Sequence, residues 1–366
     1  MKLSHLALST ALIAGTVMSG VPAQAAKVTV GYQPYDTISY SACVIRAKEL
    51  WKKYLPKDTE VQFESALQGS VIVNAMVADK QQIGYLGDMP AVVCTTKTDI
   101  APIKLVASLG ISDGQRCNVI LVRADAPKFK NAEEAIKWLD GKIVATPKGS
   151  CAARFLDVVK EKTGIKPAQI LNQSLEVIAT NFRVKKIDAA VAWEPTVSRI
   201  GDIAGEGVAR VVATGYNVQA DDAGFVAMRA DFVKNNPAIA EGWLKAELEA
   251  QKFILDPKNW EEVSQIVSKQ ANGITPLMAW FSIFGAVPAE CGGAPQRDTK
   301  PFVFTDRVHK LLDGTYTFLF QNKIITVDKA PEGAIDDSVA RKIAQEANYT
   351  TGVITPKNIC DAPKQK

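Results

Sequence analysis

Two short segments of this sequence end in an acid and share one layout. Residues 83–90 and 187–195 each begin with an apolar run typical of a short buried strand. Each run leads to an acid, Asp88 or Glu194, and then to a proline suited to open a helix. Ligands of open α/β sheets bind outside the carboxyl ends of the strands. The pattern therefore predicts equivalent points in two similar lobes that face a shared cleft.

The two acids allow two interpretations. A carboxylate can hold an ammonium or guanidinium group, and the aromatic rings of Tyr35, Tyr40 and Trp193 would favour such a cation. Alternatively, both acids cap the helices that follow them, where the helix dipole stabilises negative charge. Asp222 lies in a polar segment that is either a solvated turn or part of the site.

Three predicted helices begin with residues that leave backbone N–H groups accessible. Such groups and the helix dipole favour a sulfonate, a carboxylate or nitrate. Ordinary capping is the alternative, with Ser70 and Ser150 serving only their own helices. The residues at these openings are Gln68, Gly69, Ser70, Gly87, Asp88, Met89, Lys148, Gly149, Ser150 and Cys151.

The chain has six cysteines, an even number that predicts disulfide bonds in an exported protein. Cys151, at a helix start, would otherwise be a reactive thiol, but the sequence places no histidine base near it. The pairs we expect, among several that the sequence allows, are Cys117–Cys151, Cys43–Cys94 and Cys291–Cys360.

Residues 1–25 have the features of an export signal, with Lys2, an apolar stretch and a small-x-small cleavage pattern. The formal net charge is +4, and the basic residues are scattered, so we expect no nucleic-acid partner. With two histidines, the chain has little material for a zinc site or a hydrolytic triad. We therefore expect no catalytic residues, no metal and no cofactor.

Strands and helices alternate in the predicted pattern, which indicates an α/β fold with mostly parallel sheets. We expect the chain to cross between two lobes at residues 112–117 and 219–222. Lobe 1 would then contain residues 26–112 and 223–366, including a helical C-terminal extension. Lobe 2 would contain residues 113–222.

Several segments in this order resemble one family. They are residues 27–32, 68–70, 82–90, 186–195 and 226–237, following an export signal. They are similar to the periplasmic substrate-binding components of nitrate/sulfonate/taurine-type ABC importers. The tail after Pro288 and the six cysteines depart from the family pattern.

The resemblance implies two Rossmann-like lobes of the type II periplasmic-binding-protein kind, which close on one small polar molecule. It also implies a periplasmic monomer that docks on a membrane permease with its ATPase. Two alternatives remain open: a binder of an amine or guanidinium cation, and an enzyme of related fold such as a pyrimidine-precursor synthase.

Overall fold

The computed structural model describes residues 26–204 and 208–362. The predicted export signal, residues 1–25, lies outside the described residues. Within the described ranges, no helix combines the length and the apolar character needed to cross a membrane.

Strands and helices alternate along most of the chain, so the predicted α/β class is confirmed. The strands are β1 (Lys27–Tyr32), β2 (Glu60–Ser65), β3 (Ile83–Gly87), β4 (Ile103–Ser112), β5 (Val119–Arg123), β6 (Ile143–Thr146), β7 (Gln169–Asn172), β8 (Ala189–Ala192), β9 (Ala209–Thr214), β10 (Asp222–Arg229), β11 (Asp298–Lys300) and β12 (Gly352–Ile354). The helices are α1 (Tyr40–Lys48), α2 (Gly69–Val77), α3 (Asp88–Thr95), α4 (Ala132–Trp138), α5 (Cys151–Thr163), α6 (Leu175–Arg183), α7 (Thr196–Ala204), α8 (Ala230–Asn235), α9 (Pro237–Leu255), α10 (Trp260–Ser268), α11 (Pro276–Phe284), α12 (Asp306–Gln321) and α13 (Ser338–Glu346).

The first sheet has seven strands in the order β12-β11-β4-β10-β3-β1-β2. Strand β1 is parallel to β2 and β3, as expected. Strand β10 inserts between β3 and β4 and is antiparallel to both. The four strands from which a mostly parallel sheet was predicted, β1 to β4, run in one direction as expected. The sheet as a whole is mixed, because β10 returns from the second sheet rather than from a crossover helix.

The second sheet has five strands in the order β7-β6-β8-β5-β9. Strand β6 is parallel to β7 and β8, whereas β5 is antiparallel to β8 and β9. The chain leaves the first sheet at the end of β4 and re-enters it at the start of β10. These two crossings support the proposed lobe limits, with residues 113–222 as lobe 2.

The first sheet is covered by helices on both faces. Alternate residues of a strand point to opposite sides, and both sets of side chains here are apolar and need covering. In β10, Val226 and Met228 pack with α1 and α9 on one face. Phe225 and Ala227 pack with α3 and α12 on the other face. Each face therefore has its own apolar core.

This layering separates two of the cysteines that we expected to pair. Cys43 is buried on the α1 face and Cys94 on the α3 face, so the sheet lies between them. Cys291 is half-buried beside β9, and Cys360 is exposed near the end of the chain. All four are free thiols in the structure, so the predicted Cys43–Cys94 and Cys291–Cys360 bonds are wrong.

The C-terminal extension is not only helical. Its strand β11 pairs with β4 through Thr299 and Ile111, and β12 pairs with β11. Helix α12 covers one face of the first sheet. The extension therefore completes the first lobe and reaches the crossing segments.

A cluster of buried charges joins the two crossings to this extension. Nη2 of Arg116 lies 3.0 Å from Oδ1 of Asp222, and its Nη1 lies 3.2 Å from Oδ1 of Asp298 in β11. The Ser112 hydroxyl, at the end of β4, donates to Oδ2 of Asp222 at 2.8 Å. Lys300 lies 2.8 Å from the second oxygen of Asp298. Asp222, a candidate ligand residue, is therefore paired with protein groups of the other crossing segment.

The Arg116→Leu variant should be markedly destabilised. It leaves Asp222 and Asp298 buried with less compensating charge, and breaking a buried ion pair from one side costs about 3–5 kcal/mol. Chemical denaturation measures the free energy of unfolding. Lys137→Leu, which breaks an exposed pair with Glu133, is the control and should unfold like the wild type. Equal stability of both variants would contradict a structural role for Arg116.

Candidate functional site

The N-terminal ends of α2, α3 and α5 open into one cavity of about 300 Å³. Helices α2 and α3 follow strands of the first sheet, whereas α5 follows β6 of the second. The cavity therefore lies between the two lobes. Among the predicted residues, those that line it are Gln68, Gly69, Ser70, Gly87, Lys148, Gly149, Ser150, Cys151 and Trp193.

The start of α2 depends on a glycine. A Cβ at Gly69 would lie 2.5 Å from Cγ of Pro90, so only glycine allows α2 and α3 to begin this close together. The side chain of Gln68, the N-cap residue, makes no capping hydrogen bond to the first turn of α2. The first amides of α2 therefore face the cavity region with the helix dipole behind them.

The other two helix starts use side-chain oxygens. Oδ1 of Asp88 accepts a hydrogen bond from the Met89 N–H at 2.7 Å at the start of α3. Oγ of Ser150 accepts from the Ala153 N–H at 3.3 Å at the start of α5 and donates to the Pro147 carbonyl. The capping alternative is therefore correct in part, and α2 is the most open of the three ends.

Trp193 brings a hydrogen-bond donor to the wall of the same cavity. It follows β8, lines the cavity wall and is 4% exposed. Its Nε1 is buried without a hydrogen-bond partner among residues 26–204 and 208–362. Buried tryptophan N–H groups usually find a partner, so this one is available to a ligand.

Asp36 is an acid in this cavity that the sequence interpretation missed. Its Oδ1 accepts from the Ile38 N–H at 3.2 Å. Burial raises its pKa to about 7; the Ile38 N–H and Arg116 oppose the rise, and Asp222 and Asp88 add to it. Asp36 and the neighbouring cavity residue Gln33 lie in a polar turn directly after β1. That position, at the carboxyl end of a parallel strand, is the sequence feature from which Asp36 could have been predicted as a site residue.

The predicted acid Asp88 lies under the cavity wall instead. It is fully buried, and its Oδ2 is 2.6 Å from Nη2 of Arg154 in α5. Arg154 also donates to the Asp221 carbonyl at 3.0 Å. Burial raises the pKa of Asp88, and Arg154 partly offsets this rise. The Asp88–Arg154 pair therefore ties the first lobe to the second, and Met89 is buried beside it.

The second predicted acid, Glu194, caps α7. Its Oε2 accepts from the N–H and the hydroxyl of Ser198, at 3.1 Å and 3.0 Å. Arg297 lies 4.0 Å from the other oxygen. Burial raises the pKa of Glu194, with Arg297 and then Ser198 opposing the rise. The geometry favours the capping interpretation of this acid.

The aromatic residues do not form one cation-binding cage. Tyr40 is fully buried, and its hydroxyl is 2.7 Å from Oγ of Ser282. The Tyr35 ring lies 5.8 Å from the Arg199 guanidinium and borders a separate surface depression near Gly273. Of the three predicted aromatic residues, Trp193 is the one at the cavity.

The expected Cys117–Cys151 disulfide is present, with the two Cα atoms 6.2 Å apart. It joins the first crossing segment to the first residue of α5. Since Cys151 lines the cavity, the bond positions one wall of the site and leaves no free thiol at this helix start.

Comparison with known proteins gives the family. Residues 22–268, more than half of the chain, match the model of the NMT1-like family. The chain belongs to the NMT1-like family. No curated protein matches the chain.

Solved structures show the same fold at low sequence identity. The periplasmic aliphatic sulphonate binding protein SsuA from Escherichia coli has a TM-score of 0.66 at 19% identity, over 86% of this chain and 99% of that one. The periplasmic nitrate-binding protein NrtA from Synechocystis PCC 6803 has a TM-score of 0.65 at 17% identity, over 92% of both chains. The desulfurization enzyme DSZB has a TM-score of 0.62 at 15% identity, over 88% of this chain and 99% of that one. The expected resemblance to nitrate- and sulfonate-binding proteins is confirmed at the level of the fold.

Asp36 should make anion binding depend on pH. With a pKa of about 7, its neutral fraction rises from about one tenth at pH 8 to about nine tenths at pH 6. An anion bound beside Asp36 would be repelled by the carboxylate and would accept a hydrogen bond from the acid form. The affinity for butanesulfonate, measured by calorimetry, should therefore rise by up to about tenfold as the pH falls.

Asp36→Asn should remove this pH dependence, and Asp58→Asn, at an exposed acid, should retain it. A ligand with an ammonium group at Asp36 would show the opposite trend. Tighter binding at pH 8 than at pH 6 would contradict the anionic orientation at this residue.

Proposed function

We propose that this chain is the solute-binding subunit of an ABC importer. It captures a small organic anion, sulfonate- or taurine-like, by closure of its two lobes in the periplasm. It then delivers the anion to a membrane permease with its ATPase, acting as a monomer without catalysis. The observation that carries the proposal is the meeting of three helix N-termini and an unpartnered indole N–H in one cavity between the lobes.

The chemistry of these groups suits an anion. Helix N-termini carry partial positive charge and point N–H groups outward. Lys148, beside the start of α5, adds a full positive charge at the cavity wall. A tetrahedral or planar oxyanion offers several acceptors to such convergent donors, so one group can bind α2, α5 and Trp193 together.

The placement of these groups supports closure on the ligand. Gly69 and Ser70 belong to one lobe, whereas Ser150 and Trp193 belong to the other. A ligand that contacts both lobes favours the closed form through its differential affinity. The Asp88–Arg154 pair acts in the same direction, because opening the cleft would separate two buried charges.

A binder of an amine or guanidinium is the second candidate, and Asp36 at the cavity wall favours it. Glu194 and Asp88 no longer support it, since both are occupied by protein groups. An enzyme of related fold remains an alternative because one structural neighbour is a desulfurization enzyme. Against it, the cysteine at the cavity is in a disulfide.

Trp193→Phe should weaken anion binding while keeping the ring. Loss of a hydrogen bond to a charged ligand costs about 1.5–3 kcal/mol, or about ten- to a hundredfold in affinity. Thermal-shift screening of sulfonates, carboxylates, nitrate, amines and guanidines identifies the probe, and calorimetry measures the change. Trp138→Phe, in α4 outside the cavity wall, is the matched control and should bind normally. Unchanged binding by Trp193→Phe, or a preference for cations, would contradict the proposal.

Ligand should also make the protein more compact in solution scattering. The expected hinges are residues 112–117, which include Arg116, and residues 219–222, which include its partner Asp222. The radius of gyration should fall as the ligand saturates the protein, and the same fall for Trp193→Phe should require a ligand concentration about ten- to a hundredfold higher. An identical profile with and without bound ligand would count against a hinged binder.

A further inference from the structure

The cavity extends away from the helix N-termini along a groove between α2 and α3. On α3 its wall runs from Gly87 to Val93, which at 1.5 Å per residue is about 9 Å along the helix. On α2 it runs from Gly69 to Val73 and Asn74. Most of the wall surface is apolar, and the polar wall residues at the far end are Asn74 and Lys97.

The far end of this groove is built by the C-terminal extension. Tyr316 in α12 shares a hydrogen bond with Thr95 at the end of α3, which holds the two helices together. One turn later, Leu319 lines the cavity from a fully buried position, and Ile324 lines it just after the helix. Both residues lie beyond residues 22–268, which match the family model.

We propose that Leu319 and Ile324 are specificity-determining residues that contact an apolar body on the ligand. This inference rests on the proposed function, since it places the anionic group at the helix N-termini. An anion with an elongated hydrocarbon body fills both parts of the cavity. A compact ion such as nitrate or methanesulfonate leaves the apolar groove unused.

The surroundings of Ile324 support this assignment. It is 42% exposed in the structure, yet it borders a groove whose other walls include Val73, Val93 and Leu319. A ligand methylene placed there loses contact with water on several sides. Burial of one methylene raises affinity by up to about fourfold.

The test compares methanesulfonate, butanesulfonate and hexanesulfonate by calorimetry on the full chain. Wild-type affinity should rise with chain length, by up to about fourfold per methylene. Ile324→Ala should weaken hexanesulfonate by about threefold or more and leave methanesulfonate unchanged. Ile170→Ala is the matched control, because Ile170 is 45% exposed in β7 of the second sheet, outside the cavity wall. Its affinities should equal those of the wild type.

The outcomes distinguish the role of the C-terminal wall from the proposed function itself. Equal affinity for short and long sulfonates, or equal weakening of both by Ile324→Ala, would overturn the role of the C-terminal wall and leave the anion site intact. Failure of every sulfonate and of the matching carboxylates to bind would instead overturn the proposed function. Leu319→Met keeps the volume of this core position, so the variant should fold. Its affinities for the three sulfonates give a second measurement of the chain-length preference.

Discussion

One buried guanidinium group holds together the two segments that cross between the lobes. Arg116 contacts Asp222 where the second crossing re-enters the first sheet, and Asp298 where the C-terminal extension joins it. Burial lowers the pKa of Arg116, but Asp298 and Asp222 raise it more, so the group stays charged. A charged group without solvent must keep its partners, because charges are costly in a low dielectric. The two crossing segments and the C-terminal extension are therefore held together at this point.

The same cluster is connected to the binding cavity through the chain. The N–H of Cys117, next to Arg116, donates to Oδ2 of Asp222 at 3.1 Å. Cys117 is covalently bonded to Cys151, which begins α5 and lines the cavity. One turn further, Arg154 reaches across to Asp88 in the other lobe. The N-terminal end of α5 is thus fixed to the first crossing segment on one side and to the first lobe on the other.

Local sequence patterns predicted the elements and part of the site. The uncapped start at Gly69, the cap at Ser150 and the position of Trp193 after a strand all follow from residues that are close in sequence. The wrong prediction of a Cys43–Cys94 bond and the unexpected burial of Asp88 against Arg154 have a different cause. Both depend on which face of a sheet a helix covers and on a partner far along the chain. Leu319 and the strand at Thr299 were missed for the same reason, since short local patterns carry no information about distant contacts.

The cavity combines fixed N–H donors with one titratable acid, and this combination bears on selectivity. The helix N-termini are held by the fold, so they need no reorganisation when an anion enters and are screened little by salt. Lys148 is exposed and contributes less in water. Asp36, half-neutral near pH 7, can donate to an oxyanion in its acid form or accept from an ammonium group as a carboxylate. A zwitterion with both groups is therefore compatible with the near end of the cavity, whereas the mostly apolar groove beyond Pro90, which Lys97 also lines, favours a hydrocarbon body.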